Sequence, residues 1–238
     1  MMKIKHVVAA AALGTATLAP TVASADLSGN AGVMSQYLFR GLAQTDGASV
    51  YGGLDYSHDS GFYAGTWAAT INFGGTPNLG GGSTGAEVDL YAGFSGGDAV
   101  TYDVGAIYYL YTEEDETDNP DPSYNTIEVY GSLGTGPFSL SGYYAPDTYF
   151  GVDDSAYGIA GSGSFPLTDI LAFDAAIALH GGEGNEAFAG GDSYIEYNLG
   201  VSAGLDNGFG FGFGLVATDI DDDDLKLIID ASYGFDLM

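Results

Sequence analysis

Residues 100–110 read Val-Thr-Tyr-Asp-Val-Gly-Ala-Ile-Tyr-Tyr-Leu. Val100, Tyr102, Val104, Ala106, Tyr108 and Leu110 form an apolar or aromatic row, with Thr101, Asp103 and Gly105 between them. Strict alternation over this length is the signature of a β-strand with one apolar face. The same period recurs on both sides. Val88, Leu90, Ala92 and Phe94 alternate with Glu87, Asp89, Tyr91 and Gly93. Phe209, Phe211, Phe213 and Leu215 alternate with Gly210, Gly212 and Gly214. Leu225, Leu227, Ile229, Ala231, Tyr233, Phe235 and Leu237 close the chain in the same rhythm. No stretch after residue 25 carries a convincing helical period.

Twelve such segments are expected, near 29–40, 48–57, 61–72, 85–95, 99–112, 124–134, 137–146, 155–165, 169–180, 192–204, 208–218 and 225–237. Most run about ten residues, the length a tilted strand needs to cross a bilayer; strands of soluble proteins are nearer 5–6. Five short links, at 58–60, 96–98, 135–136, 166–168 and 205–207, interleave with six longer ones, at 41–47, 73–84, 113–123, 147–154, 181–191 and 219–224. That plan is an all-β, transmembrane, antiparallel up-and-down β-barrel with short periplasmic turns and longer extracellular loops. A closed sheet leaves no strand edge unsatisfied, as lipid demands. A soluble acidic β-sandwich also alternates, but it carries Lys and Glu on its outer face. Here the less apolar face holds Gly, Ser, Tyr and scattered acids. Tyr37, Phe39, Tyr56, Phe62, Tyr63, Phe94, Tyr102, Tyr124, Tyr144, Phe165, Phe209, Tyr233 and Phe235 fall towards strand ends, as interfacial girdles do.

Composition narrows the function. The 238 residues include 39 Gly, 18 Tyr, 13 Phe and no Cys, and four Lys plus Arg stand against 32 Asp plus Glu. Phosphate binding needs basic residues, so a nucleic-acid partner is excluded. Without Cys there is no disulfide, thiolate zinc site or thiol catalysis. Lys3 and Lys5, an apolar Ala-rich run at 7–22 and Ala23-Ser24-Ala25 read as a cleaved secretory signal peptide over 1–25, with the barrel at 26–238. Cleavage leaves two bases, Arg40 and Lys226, against 32 acids, a net of −30. The chain is read as an exported outer-membrane protein.

The opening of the barrel carries a resemblance. Ser35-Gln36-Tyr37-Leu38-Phe39-Arg40-Gly41 with Gln44-Thr45, then Gly52-Gly53-Leu54-Asp55-Tyr56-Ser57-His58 and Ser60-Gly61-Phe62-Tyr63-Ala64-Gly65-Thr66-Trp67-Ala68, resemble the TorF family of porins over residues 29–72. The rest is similar only in length, strand rhythm and Tyr-rich composition, and it departs in its shortage of Lys and Arg. The resemblance implies a proteobacterial outer-membrane barrel passing small solutes. The end Tyr233-Gly234-Phe235-Asp236-Leu237-Met238 is similar to the C-terminal signal that such barrels present to their assembly machinery, with Met where an aromatic is usual.

If the apolar rows face lipid, the intervening side chains face the lumen: Gln36, Arg40, Asp55, Glu87, Asp89, Asp103, Glu128, Asp174, His180, Glu196, Lys226, Asp230 and Asp236. Carboxylates in a narrow passage favour cations, which suggests a passive, weakly cation-selective pore. The alternative is a plugged structural or adhesive barrel filled by Tyr91, Tyr109, Tyr130, Tyr143 and Tyr194 and acting through acidic loops. Arg40 suits a constriction or an internal salt bridge. The acidic runs at 113–116 and 219–224 lack calcium-loop spacing, so Asp221, Asp222, Asp223 and Asp224 are weak candidates for a metal. No cofactor is expected. His58-Asp59-Ser60 has the letters of a triad, but neighbours in a tight turn are expected to point apart.

Overall fold

The structure is a computed structural model, and it describes residues 26–72, 85–112 and 124–238. Residues 1–25, read as a signal peptide from the sequence, and the acidic run at 113–116 lie outside the described residues. Alternating residues from Asp26 to Asp236 build β1 (Asp26–Met34), β4 (Ser49–Ser57), β5 (Phe62–Ile71), β6 (Gly85–Gly97), β7 (Thr101–Thr112), β8 (Thr126–Thr135), β9 (Phe138–Ala145), β10 (Ala156–Pro166), β11 (Leu171–Gly181), β12 (Ser193–Gly204), β13 (Phe209–Thr218) and β14 (Lys226–Asp236). Each pairs antiparallel with its chain neighbours, and β1 pairs with β14, from Ser28 opposite Asp236 to Met34 opposite Asp230. The result is one closed twelve-stranded barrel. Among the described residues no helix is long and apolar enough to cross a membrane.

The wall is inverted relative to a soluble protein. Leu54, Leu90, Val104, Ile127, Val129, Leu140, Ile159, Ile177, Leu199, Phe211, Phe213 and Ile229 point outward and exposed. Inside, buried polar groups (Glu87, Asp89, Glu128, His180, Glu196, Asn198 and Asp230) stand among buried aromatic and small apolar side chains such as Tyr109, Tyr149 and Ala156. Exposing an apolar belt to water is unfavourable by roughly 25 cal/mol per Å², so this outer surface belongs in an apolar medium.

Three sequence expectations are corrected. The first segment does not run from 29 to 40. β1 ends at Met34, and the chain turns inward through a two-residue hairpin, β2 (Leu38–Phe39) with β3 (Leu42–Ala43). Arg40 at φ 53° and Gly41 at φ 79° make the reversal, a backbone region that favours glycine. Alternation alone does not reveal such a turn, because Tyr37 and Phe39 fall at the positions that continue the apolar row of β1. Tyr37 and Phe39 therefore pack inside rather than in a girdle, and Tyr63 is also buried inward. A short helix, α1 (Glu183–Ala189), occupies the link between β11 and β12 where no helical period is legible.

The abundance of Gly and Tyr has one structural cause. Inward tyrosines lie flat over glycines of the neighbouring strand: Tyr91 opposite Gly65, Tyr63 opposite Gly93, Tyr130 opposite Gly105 and Tyr143 opposite Gly158. A Cβ on Gly105 would stand 2.5 Å from Tyr130 Oη and 2.7 Å from the Ala92 carbonyl oxygen. On Gly161 it would meet nothing within 4 Å. Gly105→Ala is accordingly expected to destabilise the refolded barrel by about 1–3 kcal/mol, the usual cost of overpacking. Gly161→Ala should be near neutral. Urea unfolding of both variants in lipid vesicles checks the difference; equal midpoints would refute the flat-ring packing.

Candidate functional site: the hairpin-capped lumen

The barrel interior has two layers. The upper one, at the long-loop end, is centred on Arg40, which is 7% exposed. Its guanidinium donates to both carboxylate oxygens of Glu128 on β8, at 2.7 Å each, and to Tyr149 Oη at 2.9 Å. It also lies 3.3 Å from the Tyr143 ring centroid and 4.4 Å from that of Phe39. Arg suits this place because its planar fork matches a carboxylate in two parallel bonds and still stacks on rings.

The hairpin is tied down around that centre. Tyr37 Oη donates to Glu87, and Tyr111 Oη donates to the other Glu87 oxygen at 2.6 Å. Tyr194 Oη donates to the Arg40 carbonyl at 3.0 Å. Leu38 packs on Val216 and Ile228, two apolar side chains that point into the barrel. Gln36 Nε2 bonds the Thr45 carbonyl at 2.8 Å, and Thr45 Oγ1 accepts from the Tyr37 N–H at 2.9 Å. The 147–154 link also dips inward: Tyr149 and Phe150 are buried against Phe39 and Tyr109, and the Phe150 N–H bonds Thr126 Oγ1 at 2.8 Å.

Beside the hairpin runs a second polar chain. Tyr143 Oη and His180 Nδ1 are 3.1 Å apart, His180 Nε2 and Glu196 Oε2 are 3.0 Å apart, and Asn198 Nδ2 donates to Glu196 Oε1 at 2.8 Å. Towards the short-turn end the lumen is half-buried. There Tyr91 donates to Asp55, Tyr63 bonds both Asp103 at 2.8 Å and Tyr130 at 2.6 Å, and Ser202 donates to Asp174 at 2.7 Å. Tyr51 donates to Asp230 Oδ2 at 2.8 Å.

The sequence candidates fall in distinct places. Arg40, Glu87, Glu128, Gln36 and Glu196 are drawn together around the hairpin, with Gln36 and Arg40 on the hairpin segment rather than on a barrel strand. Asp55, Asp103 and Asp174 sit on the inner wall nearer the short-turn end, while Asp89 and Asp230 are buried between. Lys226 is at the opposite rim, where its ammonium pairs with Asp223, which also accepts from Thr218 Oγ1 at 2.6 Å. Asp236 is exposed at the short-turn rim. Asp221, Asp222 and Asp224 are exposed, and among the described residues no three His, Asp or Glu side chains are gathered to hold a metal ion.

The His58 turn departs from expectation. His58 Nδ1 and Ser60 Oγ meet at 2.9 Å, so they do not point apart. The same nitrogen accepts the Ser60 N–H at 3.1 Å, which makes the contact an exposed turn cap. Tyr149 and Phe150 were not singled out by sequence. Their one signal is an aromatic pair within a link otherwise carrying Asp147, Asp153 and Asp154.

A closed antiparallel barrel with an apolar exterior and a polar, hairpin-narrowed interior defines a porin-like β-barrel. Solved structures agree on the fold. The KdgM porin superposes with a TM-score of 0.55 at 11% identity, covering 87% of this chain and 99% of that one. A KdgM porin in complex with disordered oligogalacturonate gives 0.56 at 13%, covering 87% and 99%. The NanC porin gives 0.53 at 12%, covering 87% and 98%. No curated protein matches the sequence. Residues 19–231 match the model of a family described as a bacterial protein of unknown function (Gcw_chp), and the chain belongs to that family. That description does not carry the TorF name.

Removing the guanidinium strands Glu128, which is 1% exposed. Arg40→Ala should cost about 3–5 kcal/mol, as breaking a buried ion pair does. Arg40→Met with Glu128→Gln should recover part of the loss. Urea midpoints followed by heat-modifiable gel mobility measure both; an Arg40→Ala barrel as stable as the parent would show the pair to be idle.

Proposed function

We propose that the protein is an outer-membrane porin of low conductance, passing small solutes with a preference for cations through a lumen narrowed by the Arg40 hairpin. The observation that carries this reading is the interior itself. A porin-like barrel holds an acid-rich inner wall, with one guanidinium among its buried groups. Carboxylates facing a confined passage attract cations and repel anions. The passage is lined by Asp55, Asp89, Asp103, Asp174 and Asp230 below the hairpin. Gln36, Arg40, Glu87, Glu128 and Glu196 surround the hairpin, and Lys226 stands at the rim. An anionic oligosaccharide such as the oligogalacturonate of the KdgM complex does not suit such a wall.

In this reading segment 1–25 is removed on export, the short turns face the periplasm and β14 is presented to the barrel-assembly machinery. The outer face meets outer-membrane lipid. The TorF resemblance of residues 29–72 supports the same placement. A second reading is favoured by the bidentate Arg40–Glu128 pair and the rings packed on it: a plugged barrel that acts structurally or through its acidic loops.

Planar-bilayer recording of the refolded mature protein under a KCl gradient separates the two. The porin reading expects discrete small steps with a cation-favouring reversal potential. It also expects several-fold larger steps from Arg40→Gln/Glu128→Gln, which releases the hairpin without leaving a lone charge. Anion-favouring steps would overturn the charge argument. A folded barrel silent in both forms would establish the plugged reading.

A further inference from the structure

Below the hairpin the inner wall is unevenly filled. One side is coated by rings. Tyr51 lies across Gly32 of β1 and donates to Asp230 on β14, and Tyr91 lies across Gly65 and donates to Asp55. Tyr63 and Tyr130 lie across Gly93 and Gly105, and their hydroxyls meet at 2.6 Å beside Asp103. A Cβ on Gly65 would stand 2.5 Å from the Tyr91 ring, and one on Gly93 would stand 2.4 Å from Tyr63 Oη. Ser95, the inward residue of β6 opposite Asp103, is only 6% exposed.

The other side carries no aromatic ring below Tyr143. Ser132 of β8 stands opposite Ser141 of β9, Ser139 of β9 opposite Ser162 of β10, and Ser164 of β10 opposite Asp174 of β11. Their parity is that of Tyr143 and His180, which meet inside the barrel at 3.1 Å. Ser132, Ser139, Ser141, Ser162 and Asp174 all keep solvent-accessible surface, as does Ser202, which donates to Asp174 at 2.7 Å. A tyrosine ring fills far more space than a serine side chain. The wall of a twelve-stranded barrel leaves space within, so that space lies against β8–β12.

The acids divide along the same line. Asp89 and Asp230 are closed off from solvent, and each has one oxygen without a hydrogen-bond partner among the described residues. Asp55 and Asp103 stand on the ring-coated side, each held by a tyrosine hydroxyl. Among the described acids of this layer, Asp174 alone stands on the serine side.

We propose that the solute path below the hairpin is eccentric, running along the serine face of β8–β12, and that Asp174 is the carboxylate that sets its preference for cations. The inference deepens the porin reading and rests on it for transport. Attraction to a fixed charge is screened over about 8 Å at physiological salt, so an acid on the path outweighs acids across the lumen.

The chain has no Cys, so each single-cysteine variant of the refolded mature protein reports one position. Ser162→Cys, on the serine face, and Ser95→Cys, on the ring-coated side, are treated in detergent with a cationic and an anionic methanethiosulfonate of similar size. Thiol modification needs access, so Ser162→Cys should react about tenfold faster than Ser95→Cys. It should also favour the cationic reagent several-fold; taking the ratio at one thiol cancels that thiol's own reactivity. Adding Asp174→Asn should lower this ratio about threefold, whereas adding Asp103→Asn should leave it nearly unchanged. Heat-modifiable mobility confirms folding, and if Asp174→Asn does not fold, Asp174→Ser, which matches the neighbouring wall, takes its place. Equal reactivity of Ser95→Cys and Ser162→Cys overturns the eccentric path. A ratio near one, or equal effects of Asp103→Asn and Asp174→Asn, overturns the role of Asp174. A barrel that meets both expectations yet never conducts would refute the porin reading and leave the eccentric inlet standing.

Discussion

Pairing of the first strand with the last is the constraint on which everything else rests. Met34 meets Asp230 and Ser28 meets Asp236 across the seam, so the sheet has no free edge. Unpaired backbone N–H and C=O groups cost several kcal/mol each in a hydrocarbon medium. Once closed, the sheet has only two faces, and a period of two sends alternate side chains to each. The apolar row then goes outward and the polar row inward. The burial of Glu87, Asp89, Glu128, Glu196 and Asp230 is a consequence of closure rather than an independent feature.

Closure also explains the composition. A twelve-stranded barrel encloses more space than an eight-stranded one, whose interior side chains alone can fill. This chain fills the difference in two ways. Tyrosines laid over cross-strand glycines coat the wall, and their hydroxyls donate to Asp55, Asp103 and one oxygen of Asp230, as Tyr111 does to Glu87 from the facing strand. The segment after β1 then folds back into the mouth, bringing the one arginine of residues 26–238 to the acids. An aromatic hydroxyl can donate to a carboxylate without adding charge. That is how an interior poor in Lys and Arg holds so many acids.

Much of the fold is legible in the sequence, because lipid outside and polar groups inside leave the period-two signal undiluted. Eleven of the twelve expected segments coincide with strands to within about two residues, a tolerance ordinary for element ends. The twelfth shows the limit. Tyr37 and Phe39 fall at alternate positions in step with Val33 of β1, which is read as a continued strand, yet Arg40 at φ 53° reverses the chain. Its cause is a partner 88 residues away, Glu128, and no local pattern encodes that distance. The inward dip of Tyr149 and Phe150 is hidden for the same reason: the rings they pack on, Phe39 and Tyr109, come from elsewhere in the chain. Which acids face inward follows from parity. Which of them lacks a partner does not, since that depends on tyrosines from neighbouring strands and the hairpin.

The two halves of the interior answer to different physics. Around Arg40, charge, rings and backbone are matched so closely that each carboxylate has its donor, and removing one member leaves another buried and alone. Below it, Asp55, Asp103 and Asp174 are half-buried and each is met by a hydroxyl, so water shares their solvation. In the proposed porin, an ion entering from the short-turn end would meet these acids first and the packed hairpin layer after them. Only there would a positive charge oppose it. The Arg40 guanidinium repels cations, but its charge is already balanced by Glu128 at 2.7 Å. The electrostatic obstacle in the proposed porin would thereby be small, leaving the packing of Tyr37, Leu38 and Phe39 to restrict passage at the hairpin. In the proposed porin, selectivity and restriction would thus reside in separate layers: the acids below would set the sign of the ion, and the folded-in hairpin how much can pass.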